Sequence, residues 1–398
     1  LSLAEGQGTE LAAADERKVT TARLLALALW LGVVGFGGGF AVAQRIRRTV
    51  VEEKRWMSEA CFLETFAVAS ALPGTTATNV LTMMGLRLGR WRGAFVSALG
   101  FLLPSIAMMI LLGVEYDRVR AVAPLGRFLD GMSYATVGVV GAVALDMRRG
   151  AVKTRVQLAI ALTAAVALCF GLVNLLEVVA LAGLLGAFAF RPPPAPPGGS
   201  EPTDDTFPPA SSTLASLLLP PSLVVASGSF ALFFVFARIG VATFGGGFAM
   251  IPPIEHEVVA VRGWLTEPAF NDAMVLGQVT PGPVAIAATF IGYRVDGLVG
   301  ALLATVGMFG PPFVLSVVAG HSLAAFRANP VVQGFLRGVS PAVVGVIAAA
   351  AVALGRTSVH SVFAGTIAAV VFALLGRYPR LSPLLPLAGG GLLNAVVS

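Results

Sequence analysis

Charge is scarce in this chain. Only 12% of its 398 residues are Asp, Glu, Lys or Arg, against roughly 25% in soluble domains, which leaves too little polar surface to cover a water-soluble fold. Cysteine is nearly absent. Cys61 and Cys169 both lie in or beside apolar segments and give neither a disulfide framework nor a metal set. Histidine is as sparse, and His256, His321 and His360 are too scattered to build a haem or non-haem iron centre. Zinc-finger spacing is missing, and so is any interleaving of aromatic and basic residues, which argues against a nucleic-acid partner. A membrane enzyme would need a clustered nucleophile, a histidine base or a metal set inside the bilayer. None is visible, and no cofactor is implied. The first residues lack the compact apolar core and small-residue cleavage site of a signal peptide. Residues 1–18 are therefore expected to stay as a cytoplasmic tail.

Apolar sequence, by contrast, is abundant, at 56% of the chain. Runs such as Gly93–Val114, Val156–Phe190 and Gly297–Gly320 are long enough to cross a hydrocarbon layer of roughly 30 Å, and Val156–Phe190 is long enough for two spans. Basic residues gather between these runs. One cluster is Arg45, Arg47, Arg48, Lys54 and Arg55, another Arg87, Arg90 and Arg92, a third Arg148, Arg149, Lys153 and Arg155. That distribution suits cytoplasmic loops of a membrane protein. A Pro-rich, polar stretch at 191–221 reads as a solvated tether. It separates a first unit, 19–190, from a second, 222–398.

The two units are copies of one another. Phe-Gly-Gly-Gly-Phe-Ala occurs at Phe36–Ala41 and again at Phe244–Ala249, 208 residues later. The same offset carries Trp56 onto Trp264, Pro73-Gly74 onto Pro281-Gly282 and, without a gap, Pro104 onto Pro312. Glycine runs and Pro-Gly pairs both interrupt helices. In a bilayer, broken backbone is tolerated only against protein or a polar cavity. Interrupted segments at corresponding places in two repeats point to a transporter's binding site. The expected fold is all-α: a polytopic integral membrane protein with two homologous helical repeats and broken or re-entrant helices. Basic clusters flank segment 61–84 on both sides. A hairpin folding back at Pro73-Gly74, with arms Cys61–Leu72 and Thr75–Leu86, keeps both clusters on one face. The sequence leaves open the number of spans and whether the repeats are parallel or inverted.

The same residues carry a resemblance. A Gly-Phe-Gly-Gly-type stretch, a following Trp and a Pro-Gly break recur in each half, at Gly35–Phe40, Trp56 and Pro73-Gly74, then at Phe244–Phe248, Trp264 and Pro281-Gly282. On these the chain resembles the long, two-domain form of the chromate ion transporter family. One departure is Thr243, which stands where Gly35 stands in the first half. The resemblance implies export of chromate from the bacterial cytoplasm across the inner membrane, with resistance as the outcome. The drive would be the membrane potential or proton gradient, and sulfate would be a competing analogue. Uptake, exchange of other small oxyanions, or an anion channel are the alternatives. Besides the substrate and protons, the lipid bilayer is the expected partner, and a homodimer is compatible with the sequence.

A tetrahedral dianion needs several donors and positive potential, which half-helix N-termini supply. Candidate contacts in the first half are Gly37, Gly38, Gly39, Pro73, Gly74, Thr75, Thr76 and Asn79. In the second half they are Gly245, Gly246, Gly247, Gln278, Thr280, Pro281 and Gly282. Arg45, Arg48, Arg87 and Arg294 are candidates to line the ion path. Glu64 and Asp272 share the repeat offset inside apolar segments, so each is expected to carry a coupling proton or to pair with an arginine.

Overall fold

The computed structural model describes residues 19–36, 38–190, 229–244, 247–321, 329–378 and 381–397, and among them every regular element is helical. Gly37, Gly245 and Gly246 lie outside the described residues, as do the N-terminal tail and the Pro-rich stretch. The first repeat opens with α1 (Thr21–Val34) and α2 (Gly38–Arg47), the latter continued by a π-helical turn, Arg48–Glu53. Then come α3 (Glu59–Ala71), α4 (Thr76–Ala121), α5 (Ala123–Ala151), α6 (Arg155–Cys169) and α7 (Leu175–Ala189). The second repeat runs through α8 (Phe230–Ala242), a 3-10 turn at Phe248–Met250, α9 (Ile251–Glu255) and a π-helical turn at His256–Val261. It continues with α10 (Glu267–Val279), a 3-10 turn at Val284–Ile286, α11 (Ala287–His321), α12 (Pro330–Ser358), α13 (Val362–Arg377) and α14 (Leu384–Val397). Four of the helices, two per repeat, are long and apolar enough to cross a membrane. Val156–Phe190 holds two helices, and Glu177 caps the second of them through a reciprocal pair of bonds with Asn174.

Local sequence dictates the breaks. Leu72 and Thr280 each precede a proline and are extended, as the proline ring requires. Gly74 and Gly282 then adopt φ of 98° and 111°, a region costly for any residue with a Cβ. A Cβ at Gly74 would lie 2.6 Å from Pro312 Cβ, and one at Gly282 would strike Ser105. Gly282→Ala is therefore expected to lower stability by about 1–3 kcal/mol, read as a fall in the thermal unfolding midpoint of the detergent-solubilised protein.

α3 has 13 residues, about 20 Å at the α-helical rise, too short to cross. It doubles back instead. α4 is bent sharply at Gly89 and Arg90, which makes residues 76–88 a half-helix and 91–121 a long span. Arg87, at the end of the half-helix, reaches Glu64 at 3.6 Å and donates to Cys61 Sγ at the start of α3. One continuous helix would hold residues 61 and 87 about 39 Å apart. The segment is thus the re-entrant hairpin that the flanking basic clusters predict. α1 and α2 form another, with its tip at the glycine run. Thr49, Glu53 and Trp56 line a small cavity with Arg23 and Leu27 of α1, and Arg47 joins the bases of the two hairpins through Glu59 at 2.7 Å.

From this near face, residues 91–121 cross to the far face. There Tyr116 Oη donates to Asp272 at 2.6 Å, Arg120 approaches the same carboxylate at 3.6 Å, and Arg294 forks onto Asp117 at 2.9 and 3.0 Å. Asp272 is the repeat equivalent of Glu64. The hairpin bases of the second repeat therefore lie on the far face, and the repeats are inverted about a pseudo-two-fold axis in the membrane plane.

Contacts across that axis are reciprocal, as two-fold symmetry demands. Gly74 N–H donates to Thr243 O at 2.6 Å, and Gly282 N–H donates to Gly35 O at 2.9 Å. Gly113 packs on Tyr293, and Gly320 on Leu86. Gly138 lies against the Ala368 carbonyl, and Gly345 against that of Ala161, so the last helices of each repeat brace the other. These pairs also correct the ungapped alignment. The offset is 208 up to the second break and 207 beyond it, since the bend at Gly89 and Arg90 matches Asp296 and Gly297. Pro104 corresponds to Pro311. The missing residue falls at Val284–Ile286, where a 3-10 turn replaces α-helix. Three residues rising about 2.0 Å each cover the length of four rising about 1.5 Å.

Candidate functional site

The tips of the hairpins meet at mid-depth, and each break leaves a helix N-terminus there. In α4, Asn79 N–H is the first to find an intrahelical carbonyl, that of Thr75 at 3.0 Å. The N–H groups of Thr76, Ala77 and Thr78 precede it and have no carbonyl one turn back. A Cβ on Gly39 would sit 3.4 Å from Thr76 Cβ and 3.8 Å from Ala77 N, so the start of α2, opened by Gly38, lies beside the start of α4. In the second repeat Gly247 lies in the same way against Ala285 N, and it also lies against Thr75 across the axis. Helical N-termini from both repeats thus put their positive ends into one small volume.

The side chains around this point divide by what holds them. Thr75 Oγ1 donates to Thr78 Oγ1 at 2.8 Å. Asn79 Nδ2 donates to Pro73 O at 2.9 Å and to Ala69 O at 3.2 Å, and so satisfies carbonyls that the break frees. Pro281 O accepts from Ser105 Oγ, and Thr280 Oγ1 lies 4.0 Å from Met109 Sδ. Gln278 Nε2 donates to Thr136 Oγ1 and Met274 O, both at 3.3 Å. Thr76 differs from all of these. It is only 5% exposed, its hydroxyl has no partner among the described residues, and it lines a cleft.

That cleft, of about 870 Å³, runs from the near face to the tips. Its deep end is Ser70, Thr76 and Phe244, and its mouth is formed by Asp146, Lys153, Gln157 and Arg337. It separates α3 from α5 and α12. Ser70 Oγ, at the deep end, is buried without a hydrogen-bond partner among the described residues.

The candidate ion-path residues do not share one mouth. Arg87 pairs with Glu64, and Arg48 with Glu53 at 3.2 Å, on the near face. Arg45 donates to Val34 O at 2.7 Å and closes the last turn of α1. Arg294 stands on the far face, clamped to Asp117. Glu64 and Asp272 each have an arginine partner, on opposite faces. Sequence reasoning missed Arg337, although it is the single charged residue between 331 and 355, and a lone charge in an apolar run is a functional signal. Lys153 was visible only as a member of a basic cluster.

Inverted helical repeats with broken helices meeting at mid-depth define a polytopic membrane protein of the transporter class. The chain belongs to the chromate transporter family, whose model matches it twice, at residues 22–187 and 230–395. The chromate transport protein of Cupriavidus metallidurans is 31% identical over 380 residues, 95% of this chain and 93% of that protein. The probable chromate transport protein of Synechococcus elongatus is 31% identical over 334 residues, 83% and 84% of the two chains. The chromate transport protein of Pseudomonas aeruginosa is 30% identical over 355 residues, covering 88% and 85%. No solved structure matches the chain.

Proposed function

We propose that the protein is a secondary-active transporter that exports chromate across the bacterial inner membrane and so confers chromate resistance. The observation that carries this reading is the cleft. At about 870 Å³ it has room for a tetrahedral oxyanion, carries Lys153 and Arg337 at its mouth, and ends on the Thr76 hydroxyl, which has no partner among the described residues, at the positive end of a half-helix. Backbone N–H groups and the helix dipole suit a dianion, and the buried site needs no fixed cation to hold it. Family membership favours chromate among such anions.

The charge distribution supports this direction. Among the described residues the near face carries Arg45, Arg47, Arg48, Lys54, Arg55, Arg87, Arg90, Arg92, Arg148, Arg149, Lys153 and Arg155, a larger basic set than Arg118, Arg120, Arg127, Arg262, Arg294 and Arg356 on the far face. By the positive-inside rule the near face is cytoplasmic, and the cleft then admits anion from the cytoplasm. Glu64 and Asp272 are the positions proposed to couple the flux to protons.

Everted membrane vesicles test the proposal. Energised vesicles with the protein are expected to accumulate chromate, and to do so less when sulfate is in excess. Vesicles that accumulate sulfate but not chromate would transfer the reading to another oxyanion. Chromate flux that ignores the imposed gradient would make the protein a channel.

A further inference from the structure

The inverted repeats are not in the same conformation. In the first repeat Leu63, Glu64 and Ala67 of α3 are exposed, and Ala67 lines the cleft. Their equivalents in α10, Asn271, Asp272 and Val275, are buried, and Leu63 at 51% exposure stands against Asn271 at 5%. α10 is packed onto α5 and α12, whereas α3 stands away from them. Two polar contacts hold α10 there: Gln278 Nε2 to Thr136 Oγ1 at 3.3 Å, and Thr357 Oγ1 to Asn271 Oδ1 at 3.3 Å. Gln278 is the repeat equivalent of Ser70, and Thr136 is that of Val343; both of those line the open cleft.

We propose that the far side holds a second cleft, the two-fold counterpart of the open one, closed here by Gln278 against Thr136, and that the oxyanion leaves through it. This deepens the transport reading and rests on it. Two arrangements of one fold, exchanged between inverted repeats, give access to a fixed central site from alternate faces. The gate is polar on one side only. Gln278 and Thr136 bond in the closed far side, whereas Ser70 and Val343 have no such pair to form, so the arrangement open to the near face is the one that a hydrogen bond favours. The chemistry of the two mouths differs too. Lys153 and Arg337 at the open mouth become His360 and Asp130 at the other, and Asp130 is already bonded to Arg120 at 2.7 Å. A dianion is gathered on the near side and held weakly on the far side.

The test uses full-length protein with Cys61 and Cys169 replaced by serine. Gln278→Cys and Thr136→Cys are introduced together, the pair is cross-linked by oxidation, and chromate flux is measured in liposomes, with reduced and desalted protein as the reference. Cross-linking is expected to lower flux at least about tenfold, because the far-open state is then no longer populated, and reduction restores it. Full flux through cross-linked protein would overturn the proposal. A second measurement needs no flux. Ser133→Cys, equivalent to the exposed Ser340, is buried at 7%. It is expected to react with a membrane-impermeant maleimide from the far face about fivefold faster when Gln278→Ala removes the gate bond. Labelling that Gln278→Ala leaves unchanged, or that comes only from the near face, would also overturn it. Chromate flux by the unmodified protein tests the transport reading separately, so the two failures can be told apart.

Discussion

Thr76→Val is expected to lower chromate flux at limiting concentration by about 10- to 100-fold, with little change in stability. A hydrogen bond to a charged group contributes about 1.5–3 kcal/mol, and each 1.4 kcal/mol is about tenfold in binding. Valine keeps the branched shape at the first position of α4 and removes only the hydroxyl. Since that hydroxyl has no partner among the described residues, the fold loses no bond with it. Thr76→Ser keeps the donor and should retain most of the flux. The measurement is concentration-dependent flux in liposomes beside a thermal unfolding curve in detergent. Unchanged flux with valine at position 76 would remove Thr76 from the site.

What the sequence revealed and what it hid follow from the range of the interactions. The breaks were legible because they are local: proline removes a donor and constrains the residue before it, and Gly74 and Gly282 take backbone angles that other residues avoid. The re-entrant hairpin was legible because basic clusters at both ends of a short apolar segment cannot sit on opposite faces without breaking the charge rule. Inversion was not legible. It rests on Asp272 meeting Tyr116 and Arg120, contacts between residues some 150 positions apart that no local pattern announces. The slip from 208 to 207 was hidden in the same way, since the 3-10 turn that absorbs it differs from α-helix by a few degrees of backbone rotation. Asn79 shows a different limit. Its residue type suggests a ligand contact, yet its amide nitrogen bonds the Ala69 and Pro73 carbonyls. A break within a membrane needs such a donor before it can offer anything to a substrate.

Asn79 also separates the two repeats. Neither Ile286 nor Ala287, its counterparts on either side of the register slip, can bond the second break, and there Ser105 from the first repeat supplies the hydroxyl to Pro281 O. Both breaks are tied across the axis by a backbone bond, Gly74 N–H to Thr243 O and Gly282 N–H to Gly35 O, but the side-chain bonds of the first come from its own repeat and that of the second from the partner repeat. Movement of one repeat against the other therefore disturbs the second break more than the first. The Thr76 hydroxyl, without a partner among the described residues, belongs to the break whose side-chain bonds lie within one repeat, which suits a binding site that must keep its shape while the helices around it move.

Reversing both charges at the open mouth, with Lys153→Glu and Arg337→Glu, should reduce chromate flux at limiting concentration by about 10- to 100-fold, mainly through KM. A dianion feels each reversal twice over, and neither residue is needed to shape the floor of the cleft. Both side chains are solvent-exposed, so the effect should shrink as salt rises and the screening length falls below about 8 Å. The neutral pair Lys153→Met and Arg337→Met should lie between wild type and the reversal, because steering depends on the sum of the charges and not on one specific bond. A defect that ignores ionic strength would mean that Arg337 acts through packing, as its bond to Phe190 O at 3.4 Å would allow. An unchanged KM in the double reversal would mean that the anion reaches Thr76 by a route other than this cleft. The comparison that weighs most is with Arg294→Glu on the far face. It removes a cation from the opposite side, and if the near-face mouth alone gathers the anion, it should leave the KM for uptake from the near face where it was.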